Sequence, residues 1–130
     1  MALRVENIGS LAATRASRWN DVVGDRYPFL RHEFLAALEA CGCADTDTGW
    51  EPDHLMVFDD DRPVAALPRY AKYHSRGEYV FDWSWADAWE RAGGDYYPKG
   101  LTAIPFTPVP GPRLLLAPGI ERQAVIAALA

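Results

Sequence analysis

Long apolar runs are missing from this chain. Nowhere does it approach the roughly 18 consecutive apolar residues of a membrane-spanning helix, and its opening residues, MALRVENIGS, lack the apolar centre of a signal peptide. The sequence therefore reads as cytoplasmic, with no membrane span. Basic runs are missing too. With 13 basic residues against 18 acidic ones the net charge is −5, and the isoelectric point lies near 5.1. A nucleic-acid partner is excluded, because phosphate backbones call for a basic stripe. Cysteine is scarce: the two present share the triplet Cys41-Gly42-Cys43, too few and too close for a disulfide framework. His32, His54 and His74 are scattered, so zinc spacing is absent. The acidic turn Asp59-Asp60-Asp61 lacks the spaced oxygens and closing glutamate of a calcium loop. No metal is expected.

What is present is a globular composition, 49% hydrophobic and 24% charged over 130 residues, which fits one domain able to bury a core. Leu3 to Ile8 alternates weakly as a first strand. Ser10 is placed to cap a helix through about Val23, stopped by Gly24. A second helix starts near Arg31 and carries Phe34, Leu35, Leu38 and Cys41 at helical spacing, with Gly42 after its end. His54 to Phe58 and Pro63 to Leu67 flank the Asp-rich turn as a hairpin, and Pro68 should end or bulge its second strand.

The stretch KYHSRGEYVFDWSWADAWERAGGDYYPK, Lys72 to Lys99, concentrates aromatic rings and charge. Tyr79, Phe81 and Trp83 fall on one side of an extended segment, Val80 and Asp82 on the other. A helix follows from near Ser84 to Gly93-Gly94, and Trp85, Ala88, Trp89 and Ala92 form a stripe that predicts Trp85 and Trp89 in the core. Leu101 to Ile104 reads as a strand, Leu114 to Leu116 as another, and a last helix runs from about Ile120. The order of elements is that of an α/β or α+β fold: a small central sheet with helices packed on it. A strand-to-helix crossover normally returns to a further strand, so the 1–130 domain is expected to be partial and the front part of a longer protein.

Four motifs in order, PFL with HEFLAALE, TGWEPDHL, the Lys72 to Lys99 stretch and PFTPVPGPRLL, resemble the bacterial peptidoglycan biosynthesis/recognition family, which is Fem-like and assigned to the acyl-CoA N-acyltransferase superfamily. The resemblance implies an N-acetyltransferase-like mixed sheet flanked by helices, commonly in two tandem copies. It implies transfer of an acyl or aminoacyl group to an amine of a cell-wall precursor or small molecule, with acyl-CoA as a possible donor in the full-length protein. Such a donor is usually cradled by a loop of Arg or Gln, two residues, Gly, one residue, and Gly or Ala, at a helix N-terminus. The corresponding PVPGPRLLLAPG departs from it, leaving Gly111 and Arg113 as cofactor-binding candidates among prolines that cannot donate. Arg113 either meets a phosphate or pairs with an acidic residue.

Amide formation needs an amine freed of its proton and an acid for the leaving group. Glu78, Asp82 and His74 are the candidate bases; Tyr79, Tyr96 and Tyr97 are candidate proton donors. Lys72, Arg76 and Lys99 pair with these carboxylates or hold an anionic substrate group, and Tyr97, Phe106 and Thr107 join them as candidate substrate contacts. Three readings stand side by side. As half of an N-acyltransferase site, Glu78, Asp82, His74 and Arg113 converge on a cleft. As a binding module for a peptidoglycan fragment, the chain has an aromatic groove without a pyrophosphate cradle. As an interdomain unit, the dense stretch packs against a second acyltransferase-like domain or drives self-association.

Overall fold

The computed structural model describes residues 2–79 and 81–130. Its seven strands are β1 (Leu3–Ile8), β2 (Trp50–Pro52), β3 (His54–Asp59), β4 (Arg62–Leu67), β5 (Tyr70–Lys72), β6 (Lys99–Leu101) and β7 (Leu115–Leu116). Its four α-helices are α1 (Ala16–Val23), α2 (His32–Ala40), α3 (Trp83–Arg91) and α4 (Arg122–Leu129). The α+β class expected from the sequence is the class observed. The strands divide, however, into two antiparallel sheets in place of one: β1-β3-β4-β7 and β2-β5-β6. No helix among the described residues is long and apolar enough to cross a membrane.

The four-stranded sheet carries the core on both faces. Period-two alternation along β3 sends Met56 and Phe58 toward Trp19 and Val22 of α1 and Leu35 of α2. Val57 meets Val64, Ala65 and, from α4, Val125 on the opposite face. Helix α1 places Trp19, Val22 and Val23 at i, i+3 and i+4, so one apolar stripe is buried. It is shorter than the sequence predicts. Ser10 caps only a 3₁₀ turn, Leu11–Ala13, accepting the Ala12 N–H on its hydroxyl, and the extended backbone of Thr14 and Arg15 separates that turn from α1.

The β3–β4 hairpin turns at Asp60 and Asp61 as anticipated, with Asp60 in the left-handed region at φ 53°. Asp53 and Arg69 then join the two sheets. Their backbones bond through Asp53 N–H and Arg69 C=O at 2.9 Å, and the Arg69 guanidinium closes on the Asp53 carboxylate at 2.8 Å and its carbonyl at 2.9 Å. Pro68 ends β4 as predicted, and the chain resumes two residues later as β5. Between the sheets, buried His54 donates Nε2–H to Glu39 at 2.8 Å while its Nδ1 accepts the Arg69 N–H at 3.1 Å. Glu39 also accepts the Leu11 N–H at 2.8 Å, so a single carboxylate ties α2, the 3₁₀ turn and β3 together.

Two expectations for the aromatic stretch are corrected. Gly77 to Tyr79 bend, Tyr79 taking φ 61°, and Phe81 and Asp82 are not in a strand; Val80 itself lies outside the described residues. Trp85 and Trp89 are not core: they are 74% and 58% exposed. Helix α3 is anchored at its first turn only, where Asp82 reaches inward and Ala86 is buried. From Asp87 to Gly93 every residue is exposed. The periodicity identified the helix and its apolar stripe, but no element of the described residues covers that stripe.

Candidate functional site

The small sheet creates an electrostatic problem. Both lysines of the chain, Lys72 on β5 and Lys99 on β6, are direct cross-strand partners. Like charges so placed repel. The loop leaving β5 resolves this by folding back and inserting Glu78 between them: Oε2 lies 2.7 Å from Lys72 Nζ and Oε1 2.8 Å from Lys99 Nζ. Asp82 then accepts a second bond from Lys99 and, at 2.6 Å, the Tyr96 hydroxyl. The result is a neutral chain of charges, Lys72, Glu78, Lys99 and Asp82.

Lys72 is completely buried, its ammonium 3.9 Å from the centre of the Trp50 ring and 2.7 Å from the Arg76 carbonyl. Burial pushes its pKa down, against the opposing pull of Glu78. Lys99 goes the other way: desolvation is outweighed by its bonds to Asp82 and Glu78, and its pKa rises. For Asp82 burial works upward, but Lys99, Ser75 and Tyr96 as hydrogen-bonding neighbours hold the carboxyl well below the usual carboxylate range. Its bond to Asp82 raises the Tyr96 hydroxyl, which stays protonated.

A stability consequence follows. As pH falls through the ordinary carboxylate range, roughly pH 4, the unfolded chain takes up a proton that folded Asp82 refuses until lower pH. Its stabilisation is therefore complete above that range and lost below it. Urea midpoints of the wild type and Asp82→Asn should differ at pH 6 and converge toward pH 2. A constant difference would mean that Asp82 is not held ionised.

A cleft of about 420 Å³ opens beside this chain of charges. It is lined by Glu78, Asp82, Tyr96 and Lys99 together with residues 100–103 and Arg113. The sheet order makes β6 an edge strand, so its outer side carries no strand partner among the described residues. One acceptor in the cluster is also left over: Asp82 Oδ1 is buried and has no hydrogen-bond partner among the described residues. A smaller hollow of about 170 Å³, against Tyr27, Phe29 and Pro110, is apolar and far from these carboxylates in character.

Of the candidate residues, Glu78, Asp82, Lys99 and Arg113 meet at the cleft. Lys72 supports it from beneath, and Tyr97 supports it through its hydroxyl, 2.5 Å from Ser75 Oγ, which in turn accepts from Lys99 at 3.0 Å. His74 is elsewhere, donating Nε2–H to the Thr48 carbonyl at 2.7 Å and accepting the Arg76 N–H on Nδ1. Its ring lies so close to Gly49 that a Cβ there would sit 2.5 Å from it. Arg76 and Tyr79 line a neighbouring groove with Phe81 and Trp83. Phe106 stacks on Trp50 with ring centres 5.0 Å apart, Thr107 donates to the Pro105 carbonyl, and Gly111 offers its carbonyl to Arg113. Ser75 carries no sequence signal, being a single serine; the strand expected over Leu101 to Ile104 is found earlier, at Lys99–Leu101, with Thr102 and Ala103 past its end along the cleft.

The profile of the FemAB-like proteins, described as peptidoglycan biosynthesis/recognition, matches residues 10–130. The chain belongs to this FemAB-like family. No curated protein and no solved structure gives a significant match. Family membership gives the chain a role in peptidoglycan biosynthesis or recognition, and the matched span contains every residue of the cleft.

An acyl-CoA donor, which the superfamily resemblance implies, would need a pyrophosphate cradle in the loop before β7. Pro105, Pro108, Pro110 and Pro112 have no N–H. The N–H groups of Phe106, Thr107 and Val109 are bound to the carbonyls of Gly77, Ile104 and Thr107. Arg113 already donates to the carbonyls of Gly111, Pro112 and Val109, at 3.2 to 3.4 Å. A cradle needs several convergent free amides, and this loop does not fit one. Cys41 and Cys43 are exposed free thiols with sulfur atoms 2.8 Å apart.

Proposed function

We propose that this chain recognises a peptidoglycan precursor through a primary amine of its peptide, as the acceptor-binding, N-terminal part of a longer N-acyltransferase. The observation that carries the reading is Asp82, which lines the cleft and whose buried Oδ1 has no hydrogen-bond partner among the described residues. A buried carboxylate oxygen without a donor is costly, and an ammonium or amine N–H is the partner that relieves it. Asp82 stays ionised at neutral pH and Tyr96 stays protonated. Asp82 accordingly holds and orients the amine, while Tyr96 supplies an O–H beside it. Transfer to that amine draws its acyl donor from residues outside this chain.

A second reading, recognition without transfer, is favoured by the proline-filled loop and its committed amides. The reading as a whole belongs in a reducing compartment such as the cytoplasm, which suits the free thiols of Cys41 and Cys43. The exposed rings of α3 suit a second acyltransferase-like domain or self-association.

Calorimetric titration of the chain with an amine-bearing muramoyl-peptide and with its N-acetylated form tests the amine contact. Asp82→Asn, or acetylation of the ligand, should each weaken binding about 10- to 100-fold, the range for losing one hydrogen bond to a charged group. Equal affinity for both ligands would overturn the reading. Heat on adding acetyl-CoA to the chain would return the donor site to these residues.

A further inference from the structure

We propose that β6 is a template for strand addition: an extended peptide bearing a primary amine and a carboxylate lies along residues 99–103 and continues the sheet β2-β5-β6 as a fourth strand. This deepens the proposed function and rests on it, because it says how the precursor's peptide occupies the same cleft.

Three independent features converge on it. The first is topological. Among the described residues strand β6 pairs only with β5, in the register Tyr70↔Leu101, Ala71↔Gly100 and Lys72↔Lys99, and residues 99–103 line the cleft. An edge strand presents alternating N–H and C=O groups that a further strand satisfies.

The second is steric. Gly100 is exposed, and a Cβ built on it would meet nothing within 4 Å. With Pro98 preceding the strand and a glycine at its centre, the edge is low and open to another backbone. Glycine inside a strand often marks such an approach.

The third is charge. Asp82 and Arg113 both line the cleft. Asp82 Oδ1 has no donor among the described residues, and Arg113 donates from Nη1 and Nη2 to loop carbonyls, leaving its Nε–H uncommitted among the described residues. An amine on Asp82 and a carboxylate on Arg113 thus fix the peptide at two points, and the main chain of 100–103 reads the span between them. Specificity under this arrangement comes from backbone direction and from the positions of the two charges, with few side-chain pockets required.

The test is an N-methyl scan of a synthetic pentapeptide carrying one side-chain amine and a free C-terminal carboxylate, titrated into the intact chain. Each methyl group deletes one backbone donor. In strand addition only alternate N–H groups face the edge, so affinity should fall about tenfold at every second position and less than about twofold between them, one lost main-chain bond being worth up to about tenfold. A flat profile, with binding retained throughout, overturns strand addition and leaves the amine contact standing. Failure of the unmethylated peptide to bind overturns both. Unchanged affinity when the peptide's carboxylate is amidated would remove Arg113 from the arrangement and sink the two-point placement.

Discussion

Glu78→Ala should destabilise the chain by about 3–5 kcal/mol, the cost of stranding a buried charge without its partner. The Glu78 side chain is 3% exposed and neutralises two lysines at once. Lys72 suffers most from its removal. Fully buried, it keeps only the Arg76 carbonyl and the face of Trp50, whereas Lys99 retains Asp82. Replacing the inner pair together, Lys72→Met with Glu78→Leu, should recover most of the loss, since apolar groups of similar volume often match a buried ion pair. Urea unfolding of the three proteins decides the matter. If Glu78→Ala unfolds at the wild-type midpoint, the buried ion chain contributes nothing to stability.

Trp50→Ala comes next, with an expected loss of about 3–5 kcal/mol. The indole is fully buried. It packs edge-on against Tyr70 at 5.3 Å and tilted against Phe106 at 5.0 Å, and its face receives the Lys72 ammonium. Trp50→Phe should lose far less than Trp50→Ala, because the indole N–H is buried without a partner and its removal forfeits no hydrogen bond. A Phe variant as unstable as the Ala variant would point to an unseen partner for that N–H. The Ala variant should also weaken precursor binding beyond its effect on folding, since the floor under Lys72 and Glu78 is gone.

The legible parts of the fold were those with length. Strand β1, helix α2 and the β3–β4 hairpin each carry a pattern longer than one period, and each is found close to its expected place. The three-residue strand β2 carries none, β6 lies two residues before the strand expected at Leu101 to Ile104, and β5 follows a proline that ended the legible strand; together they build the second sheet. For the site, the density of charge between Lys72 and Lys99 pointed to the right segment. It could not say that Lys72 and Lys99 would be cross-strand neighbours, which is the fact that organises Glu78 and Asp82 around them. His74 illustrates the converse: a chemically versatile residue in the right segment, whose ring nitrogens are both occupied by backbone. Trp85 and Trp89 show that a helical stripe reports a face and not its covering.

The sequestration of both lysines has a chemical corollary. Side-chain amines are the nucleophiles that activated acyl groups modify most readily on a protein's surface, and only the unprotonated form reacts. Here one ε-amine is sealed inside the small sheet, and the other is held as an ammonium by two carboxylates with its side chain 13% exposed. The eleven remaining cations are arginines, which stay protonated. Toward a reactive thioester or ester, the described surface is inert at every lysine, so an amine delivered to the cleft would face no competition from the lysine side chains of the protein that holds it.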